Sequence, residues 1–183
     1  MLTGEQQKIV NEIINHPAQI TFIQGKAGSG KTFLIKTLAK KLYNLQILCP
    51  TNLAASIYKD NKMAKTIHSF FYGAFDDLEE GFQDPQNLPS ERCNMFAPRI
   101  RQIKMLIIDE ISMVRSDTFE MMNVICQRCM GNNDPFGGIP VVVVGDMFQL
   151  PPIVSDEAVL AYLKREYGGI YFFNSHVIQK KSL

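Results

Sequence analysis

The chain has 183 residues, of which 46% are hydrophobic and 20% charged, a composition typical of a folded domain and not of a disordered tail. Nineteen basic and 18 acidic residues leave a net charge of +1, so any nucleic-acid site must be a local feature of the surface. The longest apolar run, residues 139–144, is far shorter than the roughly 20 residues that span a bilayer. The first ten residues do not have the basic and then apolar pattern of a secretory signal. We therefore expect a cytoplasmic protein without a membrane span.

Strand-like and helix-like segments alternate along the chain, which predicts an α/β domain with a mainly parallel sheet. Helical periodicity predicts helices over residues 4–15, 31–43, 52–58, 116–130 and 157–167, the first opened by a Thr3-x-x-Gln6 capping box. The predicted strands cover residues 20–24, 46–49, 105–109, 140–145 and 170–173. Because they are apolar on both faces, we expect helices on both sides of the sheet. Residues 73–97 are acidic, contain two prolines and have little periodicity, which predicts a long surface insertion.

The segment between the first strand and the second helix carries the clearest functional pattern. It reads Gly25-Lys26-Ala27-Gly28-Ser29-Gly30-Lys31-Thr32, a complete G-x-x-x-x-G-K-[ST] phosphate-binding loop in the strand–loop–helix context that this motif requires. Glycines let successive backbone N–H groups surround the phosphates, and the helix N-terminus adds partial positive charge. We predict that Lys31 contacts the β- and γ-phosphates of ATP and that Thr32 binds Mg²⁺. A turn that only caps a helix would not require Lys and Thr after the last glycine.

Polar residues follow two later predicted strands, at the sheet edge where open α/β folds bind ligands. Asp109 and Glu110 end the strand at 105–109; we predict that Asp109 holds Mg²⁺ and that Glu110 activates the attacking water. Gln149 follows the strand at 140–145, and its amide is suited to sensing a γ-phosphate. The alternative for Asp109 and Glu110 is a strand end that caps a turn, and for Gln149 an ordinary surface turn.

Taken together, six motifs in this order resemble the Pif-type and RecD-type helicases of superfamily 1B. They are Leu2-x-x-Glu5-Gln6, the loop 25–32, Pro50-Thr51-Asn52-Leu53-Ala54-Ala55, Thr66-Ile67-His68-Ser69-Phe70-Phe71, Asp109-Glu110-Ile111-Ser112-Met113 and Gly145-Asp146-x-x-Gln149-Leu150-Pro151-Pro152. The resemblance extends from residue 2 to about residue 175. It implies a P-loop NTPase with a RecA-like three-layer sandwich, ATP and Mg²⁺ as cofactors, and movement on single-stranded DNA from 5′ to 3′.

Further residue roles follow from the resemblance alone. It implies that Gln6 reads the adenine, that Gly25, Ala27, Gly28, Ser29 and Gly30 surround the phosphates with Lys31 and Thr32, and that Lys31, Glu110 and Gln149 act in catalysis. It places Thr51, Asn52, Thr66 and His68 against the backbone of single-stranded DNA. A packed histidine at a helix start is an equal alternative for His68, and Phe70 and Phe71 are expected in the core.

Helicases of this type have a second RecA-like domain that supplies arginines to the γ-phosphate. None of the six arginines here lies in such a motif, so we expect residues 1–183 to form the first motor domain, to need a second RecA-like domain as partner, and to turn over slowly alone. Two other functions stay open. A small P-loop kinase suits the chain length but usually has an arginine-rich lid, whereas the insertion at 73–97 is acidic. A nucleotide-gated interaction module without hydrolysis fits the same loop.

Overall fold

A parallel sheet forms the centre of the fold. The computed structural model describes residues 2–58, 64–71, 84–85 and 90–180. Within them the strands are β1 (Ile20–Gln24), β2 (Leu45–Cys49), β3 (Ala64–Thr66), β4 (Met105–Ile108) and β5 (Val141–Gly145). They pair in parallel in the order β1-β5-β4-β2-β3. The predicted α/β class and the parallel sheet are confirmed, and β3 is a strand that the sequence patterns did not reveal.

Helices connect the strands. They include the five predicted helices, whose bounds agree to within about two residues, and three that the sequence patterns did not predict. They are α1 (Gly4–Asn15), α2 (Lys31–Lys41), α3 (Asn52–Ser56), α4 (Ile67–Phe70), α5 (Ser90–Ile100), α6 (Ser116–Met130), α7 (Glu157–Tyr167) and α8 (His176–Gln179). The capping box of α1 is present, with Thr3 and Gln6 each accepting a hydrogen bond from the backbone N–H of the other. None of these helices is long and apolar enough to cross a membrane.

Two apolar clusters cover the two faces of the sheet, as expected for a three-layer sandwich. In β4, Leu106 and Ile108 belong to the cluster that includes α4, α5 and α6, whereas Met105 and Ile107 belong to the cluster that includes α1 and α2. Every residue of β4 is buried. This alternation explains why the strand is apolar on both faces and carries no polar residue before Asp109.

The predicted strand at 170–173 is wrong. Tyr171 makes one antiparallel bridge with Arg115, and the chain then turns into a 3₁₀ segment, Phe172–Asn174. The buried ring of Phe172 packs edge-on against Phe119 of α6 and Phe22 of β1, each with 5.6 Å between ring centroids. The aromatic run is therefore apolar because it packs against existing elements, and a short apolar run does not by itself distinguish these cases.

The predicted surface insertion at 73–97 is also wrong for its last part, where α5 begins at Ser90. Cys93, Phe96, Ala97 and Ile100 are buried at the i, i+3, i+4 and i+7 spacing of an amphipathic helix. The acidic residues and the two prolines within 73–97 favoured a loop, because proline is usually a helix breaker. Pro98 lies inside the helix as well. Residues 73–83 and 86–89 of the predicted insertion lie outside the described residues.

Candidate nucleotide site and adjoining groove

The predicted phosphate-binding loop and the acidic pair lie at the same edge of the sheet. The loop leaves β1, where the backbone N–H of Gly25 donates to the carbonyl of Gly145 at the end of β5, at 3.2 Å. The Asp109 N–H extends the pairing of β4 with β2 by donating to Leu48, at 2.9 Å. The carboxyl ends of β1, β5, β4 and β2 therefore meet here, as ligand sites in open α/β sheets require.

The loop has the backbone conformation and the lysine position that phosphate binding needs. Gly28 and Gly30 have φ values of 77° and 86°, a left-handed conformation that other residues rarely adopt. The Lys31 ammonium donates to the carbonyls of Gly25 and Lys26, at 2.6 and 3.0 Å. Two hydrogen bonds to backbone carbonyls thus hold the Lys31 side chain against its own loop. Phosphate oxygens can replace these carbonyls as partners of the ammonium.

Gln6 connects the start of α1 to this loop. Its amide nitrogen donates to the carbonyl of Ser29 at 2.8 Å, while its amide oxygen completes the capping box with Thr3. A Cβ atom on Gly30 would lie 2.5 Å from the same amide nitrogen, so the close approach of Gln6 depends on the glycine. The structure brings Gln6 to the loop, and its reading of adenine stays a prediction.

Asp109 and Glu110 occupy two distinct environments at the end of β4. Asp109 is 4% exposed; its Oδ2 accepts from the Tyr58 hydroxyl at 2.5 Å and its Oδ1 from the Glu110 N–H at 3.0 Å. Glu110 is half-buried and has a left-handed backbone, with φ 53° and ψ 43°. Such strain in a residue other than glycine is frequent at functional sites.

Burial shifts the pKa values of both carboxyls in the same direction. It raises the pKa of Asp109, an effect that the hydrogen bond from Tyr58 and the charge of Lys31 oppose. Burial also raises the pKa of Glu110, and the Asp109 charge raises it further, while Lys31 again acts in the opposite direction. A raised pKa is a property that a general base operating near neutral pH requires.

Tyr58 is a site residue that the motifs do not include. Its hydroxyl donates to Oδ2 of Asp109. Thr32 and Asp109, which lie 77 positions apart in the chain, are the two residues that we predict to bind Mg²⁺. A hydroxyl and a carboxylate are oxygen ligands of the kind that Mg²⁺ prefers, so these two residues fit the predicted metal site.

Gln149 and Glu110 line a common cleft of about 570 Å³, together with Thr51 and Ser112. The Gln149 N–H donates to the carbonyl of Asp146 at 3.0 Å, which forms a turn directly after β5. Its side chain is exposed. The structure thus brings the predicted sensor to the predicted base, while the sensing role stays a prediction.

The four residues expected at DNA line a second cavity, a groove of about 650 Å³ bounded also by Arg115, Thr118 and Ile153. Cys49 pairs with Thr66 in the sheet, so the segments after β2 and β3 lie side by side and bring Thr51, Asn52, Thr66 and His68 together. Thr51 and Thr66 also cap α3 and α4, and His68 is exposed. Phe70 and Phe71 are buried, which confirms them as core residues.

The parallel sheet, its two helical layers and the glycine-rich loop before α2 define a P-loop protein of the RecA-like class. The family model for PIF1-like helicases matches residues 1–166. The chain therefore belongs to the PIF1-like helicase family, and the resemblance noted in the sequence is confirmed.

Relatives and solved structures agree with this assignment. The chain is 37% identical over 135 residues to the ATP-dependent DNA helicase Pif1 of Psychrobacter sp., covering 73% of this chain and 20% of that protein. It is 33% identical over 168 residues to the ATP-dependent DNA helicase RRM3 of Saccharomyces cerevisiae, covering 86% and 21%. A crystal structure of Pif1 from Bacteroides in complex with ADP-AlF3 and single-stranded DNA aligns with a TM-score of 0.76 at 33% identity, covering 97% of this chain and 39% of that one. The chain thus spans about a fifth of the length of these two curated relatives.

Proposed function

We propose that this chain is the ATP-binding and ATP-hydrolysing motor domain of a DNA helicase that moves from 5′ to 3′ on single-stranded DNA. The observation that supports this function most is the convergence of Lys31, Thr32, Asp109 and Glu110 at one edge of the sheet, with the Lys31 charge acting on both carboxyls. The relatives support the same function, because they are named ATP-dependent DNA helicases and the Bacteroides Pif1 structure is a complex with ADP-AlF3 and single-stranded DNA.

Each residue of the site has a distinct role in this proposal. Lys31 exchanges its two carbonyl partners for phosphate oxygens, and the backbone N–H groups of the loop bind the phosphates. Thr32 and Asp109 hold Mg²⁺, which neutralises the charge that develops on the transferred phosphoryl group. Glu110 orients the attacking water and accepts its proton, while Gln149, which lines the same cleft, contacts the γ-phosphate.

The position of the groove next to the cleft supports coupling of nucleotide and DNA. Thr51 and Met113 line both cavities. A movement of either residue on nucleotide binding therefore changes the shape of the groove that we assign to DNA. The backbone of single-stranded DNA is the expected ligand there, because the groove is lined by hydroxyl, amide and imidazole groups that hydrogen-bond phosphate and sugar oxygens.

The arginines that complete the site are expected to come from a second RecA-like domain. The arginine side chains that the structure describes make contacts elsewhere: Arg99 with Phe70 and Phe96, Arg101 with the carbonyl of Cys129, Arg115 with Asp117, Arg128 with the carbonyl of Pro85, and Arg165 with Tyr162. An arginine at the γ-phosphate contributes roughly 10³ to 10⁵ in rate. We therefore expect the 183-residue chain to bind Mg²⁺-ATP and to hydrolyse it slowly.

The proposal is tested by steady-state ATP turnover, with and without single-stranded DNA, on protein first shown to bind Mg²⁺-nucleotide. Slow turnover that is lost in Glu110→Gln is the expected result. Failure to bind nucleotide, or turnover that Glu110→Gln leaves unchanged, would contradict the site assignment, and unchanged binding without any turnover would favour the interaction module. Brisk, DNA-stimulated turnover by this chain would refute the need for an external arginine.

The polarity requires the full-length protein. Duplexes with a single-stranded tail at only the 5′ or only the 3′ end separate the two directions. We expect unwinding of the 5′-tailed substrate alone, and unwinding of only the 3′-tailed one would overturn the assigned direction.

A further inference from the structure

Tyr58 is the residue outside the recognised motifs that makes the most direct contact with the site. It lies two residues beyond α3 and is 1% exposed. Its hydroxyl is 2.5 Å from Oδ2 of Asp109. The phenol thus contacts a residue that we assign to Mg²⁺, although the two are not neighbours in sequence.

The ring of Tyr58 is held firmly on all sides. Its backbone N–H donates to the carbonyl of Ala55 at 3.1 Å, and its ring belongs to the apolar cluster that contains Leu38 of α2 and Cys49 of β2. The ammonium of Lys36, also on α2, lies 5.9 Å from the ring centroid. Because packing fixes the ring, the hydroxyl has a defined position between the loop and β4.

We propose that Tyr58 is a positioning residue for the metal ligand Asp109, a role that rests on the proposed nucleotide site. The hydroxyl fixes Oδ2 of Asp109, and the Glu110 N–H fixes Oδ1. Each carboxylate oxygen can accept more than one hydrogen bond or ligand, so Asp109 remains able to bind a cation in this orientation. Groups that orient metal ligands in this way typically change metal affinity by 10- to 100-fold when they are removed.

Tyr58→Phe is the matched variant, because it removes the hydroxyl and keeps the packed ring. The readout is Mn²⁺ binding to the ADP-bound protein, measured by electron paramagnetic resonance, together with the affinity for fluorescent ADP in the presence of EDTA. We expect the variant to bind Mn²⁺ about tenfold more weakly and to bind metal-free ADP as the wild type does. Tyr43→Phe removes a hydroxyl from a side chain that is 76% exposed and serves as the control that changes neither value.

Other outcomes separate this inference from the proposed function. Mn²⁺ affinity within twofold of the wild type would overturn the positioning role. A parallel loss of Mn²⁺ and metal-free ADP affinity would also overturn it, because the hydroxyl would then support the loop as a whole. If the wild type shows no metal-dependent binding of nucleotide, the proposed function itself fails.

A second measurement does not depend on the folding of the variant. In protein labelled with 3-fluorotyrosine, we expect Mn²⁺-ADP to broaden one ¹⁹F resonance selectively. Tyrosine-to-phenylalanine variants at the other five tyrosines each remove one resonance. We expect the broadened resonance to remain in all five variants, which assigns it to Tyr58. A spectrum without selective broadening would overturn the inference.

Discussion

Replacing Lys31 with alanine tests the phosphate site most directly. In the unliganded protein the ammonium already makes two hydrogen bonds, to Gly25 and Lys26, and nucleotide binding must exchange them for phosphate contacts. The effect of Lys31→Ala on affinity is therefore the difference between two sets of hydrogen bonds and not the full strength of one set.

The magnitude follows from that difference. Hydrogen bonds that involve charged groups contribute about 1.5–3 kcal/mol each, with a neutral carbonyl acceptor at the lower end and a charged phosphate at the upper end. Exchanging two bonds therefore yields about 3 kcal/mol, which corresponds to a weakening of about 100-fold. Lys31 also opposes the negative charges of Asp109 and Glu110, so its loss adds repulsion and makes this value a lower bound.

The assay is equilibrium titration with Mg²⁺ and fluorescent ATP analogue, on protein whose fold is checked by circular dichroism. Lys26→Ala is the matched control, since it removes the same charge from an exposed side chain in the same loop and keeps the carbonyl that Lys31 contacts. We expect its affinity to stay within about threefold of the wild type. An equal loss in both variants, or an affinity of Lys31→Ala within threefold of the wild type, would refute the reasoning.

Three further changes have distinct expected outcomes. Because burial raises the pKa of Glu110 in the folded protein, its contribution to the free energy of unfolding is present below about pH 4 and is lost as the pH rises through the raised value. In chemical denaturation, the wild type therefore loses stability relative to Glu110→Gln as the pH rises above about 4. Asn52→Ala lowers the affinity for single-stranded DNA in fluorescence anisotropy by about tenfold, as expected for one hydrogen bond to phosphate, and binding weakens with added salt. Asn123→Ala removes the partner of the buried Phe136 N–H and of Glu120 and lowers the free energy of unfolding by about 2–4 kcal/mol.

Controls for these changes come from exposed positions. A wild-type stability that tracks that of Glu110→Gln as the pH rises above about 4 would contradict the first prediction. The control for Asn52→Ala is Asn94→Ala on α5, which is expected to leave the affinity for single-stranded DNA unchanged. If the DNA affinity of the wild type did not depend on salt, contacts with the phosphate backbone would be excluded. The control for Asn123→Ala is Asn11→Ala on the exposed side of α1, whose free energy of unfolding is expected to stay within about 0.5 kcal/mol of the wild type. An equally small effect of Asn123→Ala would show that the buried hydrogen bonds contribute little to stability.

The sequence revealed those parts of the site whose chemistry is concentrated in a short stretch. A phosphate must be surrounded by consecutive N–H groups, which fixes glycines, Lys31 and Thr32 at set spacings. The acidic pair was visible because it directly follows an apolar strand. Tyr58 was not, because its contact with Asp109 bridges 51 positions and a buried tyrosine near a helix end has no distinctive pattern.

The fold was predictable where periodicity was long and regular, as in α1 and α6. The three-residue strand β3 was missed because so short a segment has no period, and it forms through pairing with β2 and not through its own propensity. The segment 90–100 had the right apolar spacing, but the acidic residues and the two prolines within 73–97 favoured a loop. The error at 170–173 has the opposite origin, since aromatic residues buried by tertiary packing resembled a strand.

Charge balance at the site gives a physical reason for proposing Mg²⁺-nucleotide, and not free nucleotide, as the ligand. Burial raises the pKa values of both Asp109 and Glu110, and the charge of Asp146 adds to the effect on Glu110; Lys31 is the cation that opposes these effects. A polyphosphate adds further negative charge beside these groups, and Coulomb repulsion between like charges grows as water is excluded. A divalent cation held by Thr32 and Asp109 supplies the missing positive charge where it is needed. Tyr58 keeps one of those ligands oriented before the cation arrives, so the metal need not reorganise the buried carboxylate when it binds.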